Sequence, residues 1–271
     1  MRRLSLALLL APLAAGCGSD PSSFEGSGAA LKDASTSRME WKMEGKNLPH
    51  WALLQASGSV DYANGRGEMV IKGDSDSAPV AHSLYIGHDS YMGVEVGGSS
   101  YWLRNSVVGG TDTDRFMPGP NGMSPDRVLK ELIKSSTKVE KLGSEQIRSV
   151  DTTHYRAHLG KTRLETEPGV VDVWIDGQGL PRRIRATHGS DFADVVDLFD
   201  FGVPVDVEAP PANEVVSEDK FDKIMEKECA DAGKDLEHAS PLCLIFGTTL
   251  EAGSDSVQVS PTQTVPTTEG K

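Results

Sequence analysis

GSVDYANGRGEMVIK, residues 58–72, decides the fold. Val60 and Tyr62 alternate with Ser59 and Asp61, Asn64-Gly65 marks a tight turn, and Met69 and Ile71 follow it. Apolar residues two apart on either side of an Asn-Gly pair read as a β-hairpin with one buried face. The same period runs outward from there. Met39, Trp41 and Met43 alternate with Arg38, Glu40, Lys42 and Glu44. Leu84 and Ile86 lead into Gly87-His88-Asp89 and then a run from Tyr91 to Val96 that includes Met92, a second hairpin, with Ser100 to Arg104 a further short strand. Tyr155, Ala157 and Leu159 alternate with His154, Arg156 and His158, and Val171, Val173 and Ile175 with Asp172, Trp174 and Asp176. The turn Gly177-Gln178-Gly179 returns the chain through Arg183 to Thr187, and a last strand is expected over Asp194 to Phe201. Hairpin after hairpin implies an antiparallel meander. About ten strands exceed what an open twisted sheet holds flat, so the sheet must curl or split.

Helical signals are fewer. Ser124-Pro125 reads as a cap with proline at the first helical position, followed by Val128, Leu129, Leu132 and Ile133 as an apolar stripe that ends near Ser136. Short helices are also expected over Ala29 to Ala34 and over Asp219 to Ala232, the latter with Phe221, Ile224 and Met225 as its apolar edge. The fold class is therefore α+β, mainly antiparallel β, with short helices. If the sheet curls, Met39, Trp41, Met43, Met69, Leu84, Ile86, Met92 and Val173 are available to line its concave face. Such residues suit an adaptable apolar cavity, and equally a dry core, which is the default on periodicity alone.

The N-terminus sets the compartment. Arg2 and Arg3 precede an apolar run from Leu4 to Leu13, and the run ends in Leu13-Ala14-Ala15-Gly16-Cys17. A basic start, a short apolar core and small residues before a cut site form a secretory signal peptide. A cysteine at that cut resembles a bacterial lipoprotein signal, in which the thiol of Cys17 takes a diacylglycerol anchor, although the leucine sits one position early. No later segment is apolar enough to span a bilayer. With Cys17 lipidated, Cys229 and Cys243 remain, and in an oxidising compartment they are expected to pair. Such a loop is worth roughly 3 kcal/mol on the chain-entropy model. A metal site is the alternative, and only His238 lies near enough to join one. The net charge of −13 argues against nucleic acid as a partner and against adhesion to anionic lipid through a basic patch.

With these elements placed, several segments resemble the LppX/LprAFG family of actinobacterial lipoproteins, whose fold is that of the LolA/LolB carriers. They are Ser57-Gly58-Ser59-Val60-Asp61-Tyr62, Ser124-Pro125-Asp126-Arg127-Val128-Leu129, Thr153-His154-Tyr155-Arg156 after Gly143, Val173-Trp174-Ile175-Asp176, and Gly179-Leu180-Pro181-Arg182-Arg183. The resemblance covers roughly residues 29 to 210. It implies a curved half-barrel with short helices across its concave face, and lipid or glycolipid acyl chains held between sheet and helices. The lining would be Met39, Trp41, Met43, Val60, Tyr62, Met69, Ile71, Leu84, Ile86, Met92, Val128, Leu129, Leu132, Ile133, Val171, Val173 and Ile175. The chain then divides into a signal peptide at 1–16, lipidated Cys17 with a flexible tether at 17–28, the half-barrel at 29–215, a disulfide-bearing C-terminal helix and apolar segment at 216–252, and a disordered tail at 253–271. The 216–252 segment and the tail extend beyond the family's usual end, and the loop from Gly109 to Gly122 is placed to cover the cavity mouth.

Nothing in the sequence reads as a catalytic constellation. His154 and His158 lie roughly 13 Å apart along one strand face, too far to share a metal, and read as solvent-exposed. Asp112 and Asp114 resemble the start of a calcium loop with no closing glutamate. No nucleophile elbow or phosphate loop occurs. Arg182, Arg183 and Arg185 suit either a solvated hairpin or a lipid phosphate at the barrel rim. The expected function is a lipid or glycolipid carrier without enzymatic activity, cofactor or metal, lipid-anchored on the extracytoplasmic face of the cell membrane, with the 125–135 helix as a moving lid. An envelope protein-binding or sensor module on the same fold, without lipid cargo, is the alternative, and a structural lipoprotein with no ligand a third.

Overall fold

A computed structural model describes residues 23–46, 55–73, 81–87, 89–106, 125–160, 169–188, 192–230 and 242–243. In chain order these form α1 (Ser27–Ala34), β1 (Thr36–Gly45), β2 (Gln55–Asp61), β3 (Arg66–Lys72), β4 (Ala81–Ile86), β5 (Asp89–Val96), β6 (Ser99–Ser106), α2 (Pro125–Ser135), β7 (Ser136–Ile147), β8 (Val150–Leu159), β9 (Val170–Asp176), β10 (Pro181–His188), β11 (Phe192–Phe199), β12 (Val215–Val216) and α3 (Glu218–Glu228). All the strands join one sheet in the order β12-β6-β5-β4-β3-β2-β1-β11-β10-β9-β8-β7.

Two antiparallel meanders, β1–β6 and β7–β11, meet where β1 pairs with β11, so that Met39 lies opposite Leu198 and Trp41 opposite Val196. This junction puts β6 and β7 near opposite edges. The chain between them must cross the whole sheet, and α2 is the described part of that crossing. Its Val128, Leu129 and Leu132 are fully buried in the core cluster, while Lys130 and Lys134 stay outside. Burying each such side chain stabilises the fold by about 1.5–3 kcal/mol. A second crossing returns from β11 to the β6 edge. Along it the Thr36 hydroxyl donates to Val203 O, Arg66 Nη1 to Val207 O and the Trp102 amide to Glu214 O, and β12 then pairs with β6.

Four findings differ from the sequence reading. β7 was not expected: its positions are mostly exposed and polar, so the edge strand carries no apolar alternation to detect. The β6–β12 pair is parallel, an exception in an otherwise antiparallel sheet. Phe24, inside the stretch expected as a tether, is buried and packs tilted on Tyr155 with ring centroids 6.4 Å apart. Leu84 and Ile86 point away from the core. Register pairs Tyr85 with Gly67 and Ser83 with Met69, so Ala81, Ser83 and Tyr85 face inward. Gly67 makes this possible, since a Cβ there would sit 2.1 Å from the Tyr85 ring. Leu84 is buried on the outer face without joining the core cluster, and Ile86 is half-buried there.

Candidate functional site

The inner face is continuous from one meander to the other. Across β1 and its neighbours, Met39, Trp41 and Met43 lie level with Gly58 and Ala56 on β2 and with Leu198, Val196 and Asp194 on β11. Val60, Met69, Ile71 and Met92 extend the face toward β6, and Val171, Val173 and Ile175 toward β8. Tyr62 closes it just after β2, and Val128, Leu129 and Leu132 of α2 pack down onto it, with Ile133 at the margin. Apart from Leu84, Ile86 and Met43, the lining residues expected from sequence all belong to this one cluster or pack against it. Met43 is buried on the same face outside the cluster. Phe24 and Leu31 beside α1, and Phe221, Met225 and Leu242 around α3, belong to it as well. Phe221 and Met225 form the apolar edge expected of α3, whereas Phe24 and Leu31 carry too little periodicity to announce their burial. The Cys229–Cys243 disulfide, with Cα atoms 5.4 Å apart, ties the end of α3 to Leu242.

Polar contacts among the described residues interrupt the apolar face. Ser37 Oγ and the Tyr62 hydroxyl share a buried 2.7 Å hydrogen bond. Burial pushes the Tyr62 hydroxyl far above its ordinary range, and the Ser37 hydrogen bond only partly offsets this. The Trp41 indole donates to Asp194 Oδ1 at 2.9 Å. Asp194 was read from sequence only as the start of a strand.

The outer face is polar and densely paired. His154 is half-buried rather than solvent-exposed: it stacks on Trp174 at 4.2 Å and places Nε2 3.0 Å from Asp172 and Nδ1 3.3 Å from Glu145. Arg156 forks onto the same Asp172. Burial would raise the Asp172 carboxyl, but the Arg156 and His154 contacts outweigh it and hold the group below the usual aspartate range. His158 lies 2.8 Å from Glu140, so the two histidines serve separate carboxylates. Lys138 and then His158 draw the exposed Glu140 carboxyl down to about 2. Arg182 binds Asp176 and lies over Phe201, Arg183 forks onto Asp197, and Arg185 donates to Thr187. The tight turn after β7 carries Arg148 over Phe199, where it engages Glu40 and Asp197.

Beside Arg148 a groove of about 860 Å³ opens on this outer face, lined by Glu40, Lys42, Gln55, Ser57, Val70, Lys72, Val195 and Asp197 among others. Among the described residues, no group of three His, Cys, Asp or Glu is placed to hold a metal, and no helix is long and apolar enough to cross a membrane. Cys17, Ser124, the Asp112–Asp114 stretch, the loop from Gly109 to Gly122 and the 253–271 tail lie outside the described residues.

No family model and no curated protein matches the chain. Among solved structures it is similar to the lipoprotein LppX of Mycobacterium tuberculosis, at 15% identity over 70% of this chain and 100% of that one, with a TM-score of 0.46. It is similar to LprF of Mycobacterium bovis at 16% identity over 70% of this chain and 95% of that one, TM-score 0.44. MucB in the MucA/MucB complex of Pseudomonas aeruginosa is similar at 11% identity, over 72% of this chain and 60% of that one, TM-score 0.37. Two of these structures, LppX and LprF, bear names of the family that the sequence segments resemble.

Proposed function

We propose that this chain is an extracytoplasmic lipoprotein, anchored at the outer face of the cell membrane through Cys17, that binds lipid or glycolipid acyl chains and carries them across the envelope. The observation that carries this reading is the amphipathic helix α2, whose apolar stripe is buried on the apolar inner face of the sheet. That helix belongs to a crossing rather than to the sheet, so it can lift without breaking a strand pair. Acyl chains entering beneath it would be driven by burial at about 0.8 kcal/mol per methylene. Met39, Met43, Met69 and Met92 on the inner face supply unbranched, adaptable side chains that can repack around a chain.

Native mass spectrometry of the full chain carrying Cys17→Ser, secreted from a host with ordinary lipids, tests the reading. A bound mass lost on denaturation and matching a phospholipid or glycolipid is expected. Leu132→Asp, secreted normally, should emerge without it. A bare polypeptide that takes up no added lipid would sink the carrier reading and move the search to protein partners. Lipid content unchanged by Leu132→Asp would remove α2 as the lid.

A further inference from the structure

We propose that the groove on the outer face binds a phosphate group, held between Lys42 and Lys72 over Gln55. Lys42, Gln55 and Lys72 leave the sheet on the face opposite the acyl-chain lining, so the phosphate site is distinct from it, although Trp41 and Ala56 also border the groove.

Three adjacent strands build it. Lys42 on β1 pairs with Gln55 on β2, and Gln55 pairs with Lys72 on β3, so all three side chains leave the sheet on one side in one row. Strand spacing puts the two lysine Cα atoms about 10 Å apart. Their flexible four-carbon stems can therefore converge above the Gln55 amide. Among the described residues, neither the Lys72 ammonium nor the Gln55 amide has a side-chain partner. Among the described residues Lys42 pairs only with Glu44 at 2.8 Å, and both side chains are partly exposed, so water or a ligand oxygen exchanges for that contact at little cost.

The other end of the groove does not cancel this charge. Its carboxylates, Glu40 and Asp197, are already matched by Arg148 and Arg183. The lysine row therefore sets the sign of the groove, on a chain whose overall charge is −13. A carboxylate ligand would leave one of the two ammonium groups uncompensated. A phosphate monoester carries about −1.5 to −2 at pH 7 and has three strong acceptor oxygens, which matches two ammonium groups and an amide. Val195, beside Lys42 in the same row, and Val70, beside Ser57 in the next, give the ester's carbon part apolar surface.

The phosphate has two possible sources, a soluble ester or a lipid headgroup, and calorimetry on the full chain carrying Cys17→Ser separates them. The probes are glycerol 3-phosphate, glycerol as its uncharged counterpart, and phosphatidylcholine vesicles with and without phosphatidate, whose headgroup is a phosphate monoester. Binding of glycerol 3-phosphate but not glycerol, weakened at least tenfold in K42Q/K72Q and partly in K72Q alone, supports the site with a soluble ligand. Binding only to the phosphatidate vesicles, with the same loss in the variants, supports it with a headgroup. Because these side chains are exposed, the variants should keep the wild-type near-UV circular dichroism. No binding of either probe, or binding that both variants retain, overturns the proposal.

Discussion

Asp172 and Arg156 face each other across β8 and β9 in a two-pronged ion pair, Nε to Oδ1 at 2.8 Å and Nη2 to Oδ2 at 3.0 Å. The carboxylate is almost fully buried, whereas 39% of the arginine side chain is exposed. The two partners are therefore not equivalent. Without Asp172, Arg156 can turn to water. Without Arg156, the carboxylate stays buried with His154 as its remaining partner.

Arg156→Ala should accordingly cost more stability than Asp172→Ala, about 2 kcal/mol against about 1, once the buried-pair figure is discounted for the arginine's exposure. Urea denaturation at pH 7 measures both. The reverse order would mean that the arginine does not stabilise the carboxylate.

The same charges set an acid limit. Asp172 is held below 3.8 in the folded state and Glu140 is drawn from 4.5 to about 2. A carboxyl lowered on folding contributes stability that is complete above its unfolded value and is lost as pH falls through its folded one. Stability from these two groups should hold from pH 7 to about 5 and decline below about 4.5. Thermal melts between pH 7 and pH 2 report the decline, and Glu140→Gln should make it shallower between 4.5 and 2.

Two glycines should respond in opposite directions to alanine. A Cβ at Gly58 would lie 1.9 Å from the Glu68 carbonyl oxygen and 2.8 Å from the Met69 Cα, so β2 and β3 must separate to admit it. A loss of about 2–3 kcal/mol is expected for Gly58→Ala. At Gly28 in α1 a Cβ meets nothing within 4 Å, and Gly28→Ala should stabilise by about 0.5–1 kcal/mol. Equilibrium unfolding of the two variants decides both.

Replacing both Cys229 and Cys243 by serine opens a loop with a sequence separation of 14. A loss of roughly 3 kcal/mol is expected on the chain-entropy model. Hydrogen exchange should show it first in α3, whose Phe221 and Met225 join the core from outside the meanders, while β8 and β9 keep their protection. Equal loss of protection in β8 and α3 would mean that the disulfide supports the whole sheet.

Much of this protein was legible in advance. Hairpin residues such as Val60, Tyr62, Met69 and Ile71 declared their strands, the stripe Val128-Leu129-Leu132 declared α2, and two cysteines left after Cys17 declared a disulfide. These features are local, arising from a period of two, a period near 3.6 and a count. Leu84 and Ile86 mark the limit. Alternation shows that they share a face of β4, but only pairing with β3 shows which face, because a one-residue slip turns every side chain over.

By itself, then, the sequence determined an antiparallel sheet, helices laid on it and a covalent tie near its end. Tertiary structure alone decided that β1 joins β11, that polar β7 is a strand, and that Lys42, Gln55 and Lys72 stand in one row beside Arg148. The first depends on the register between segments far apart in the chain, the other two on how neighbouring strands pair. Long-range register leaves no mark on the local spacing of residues.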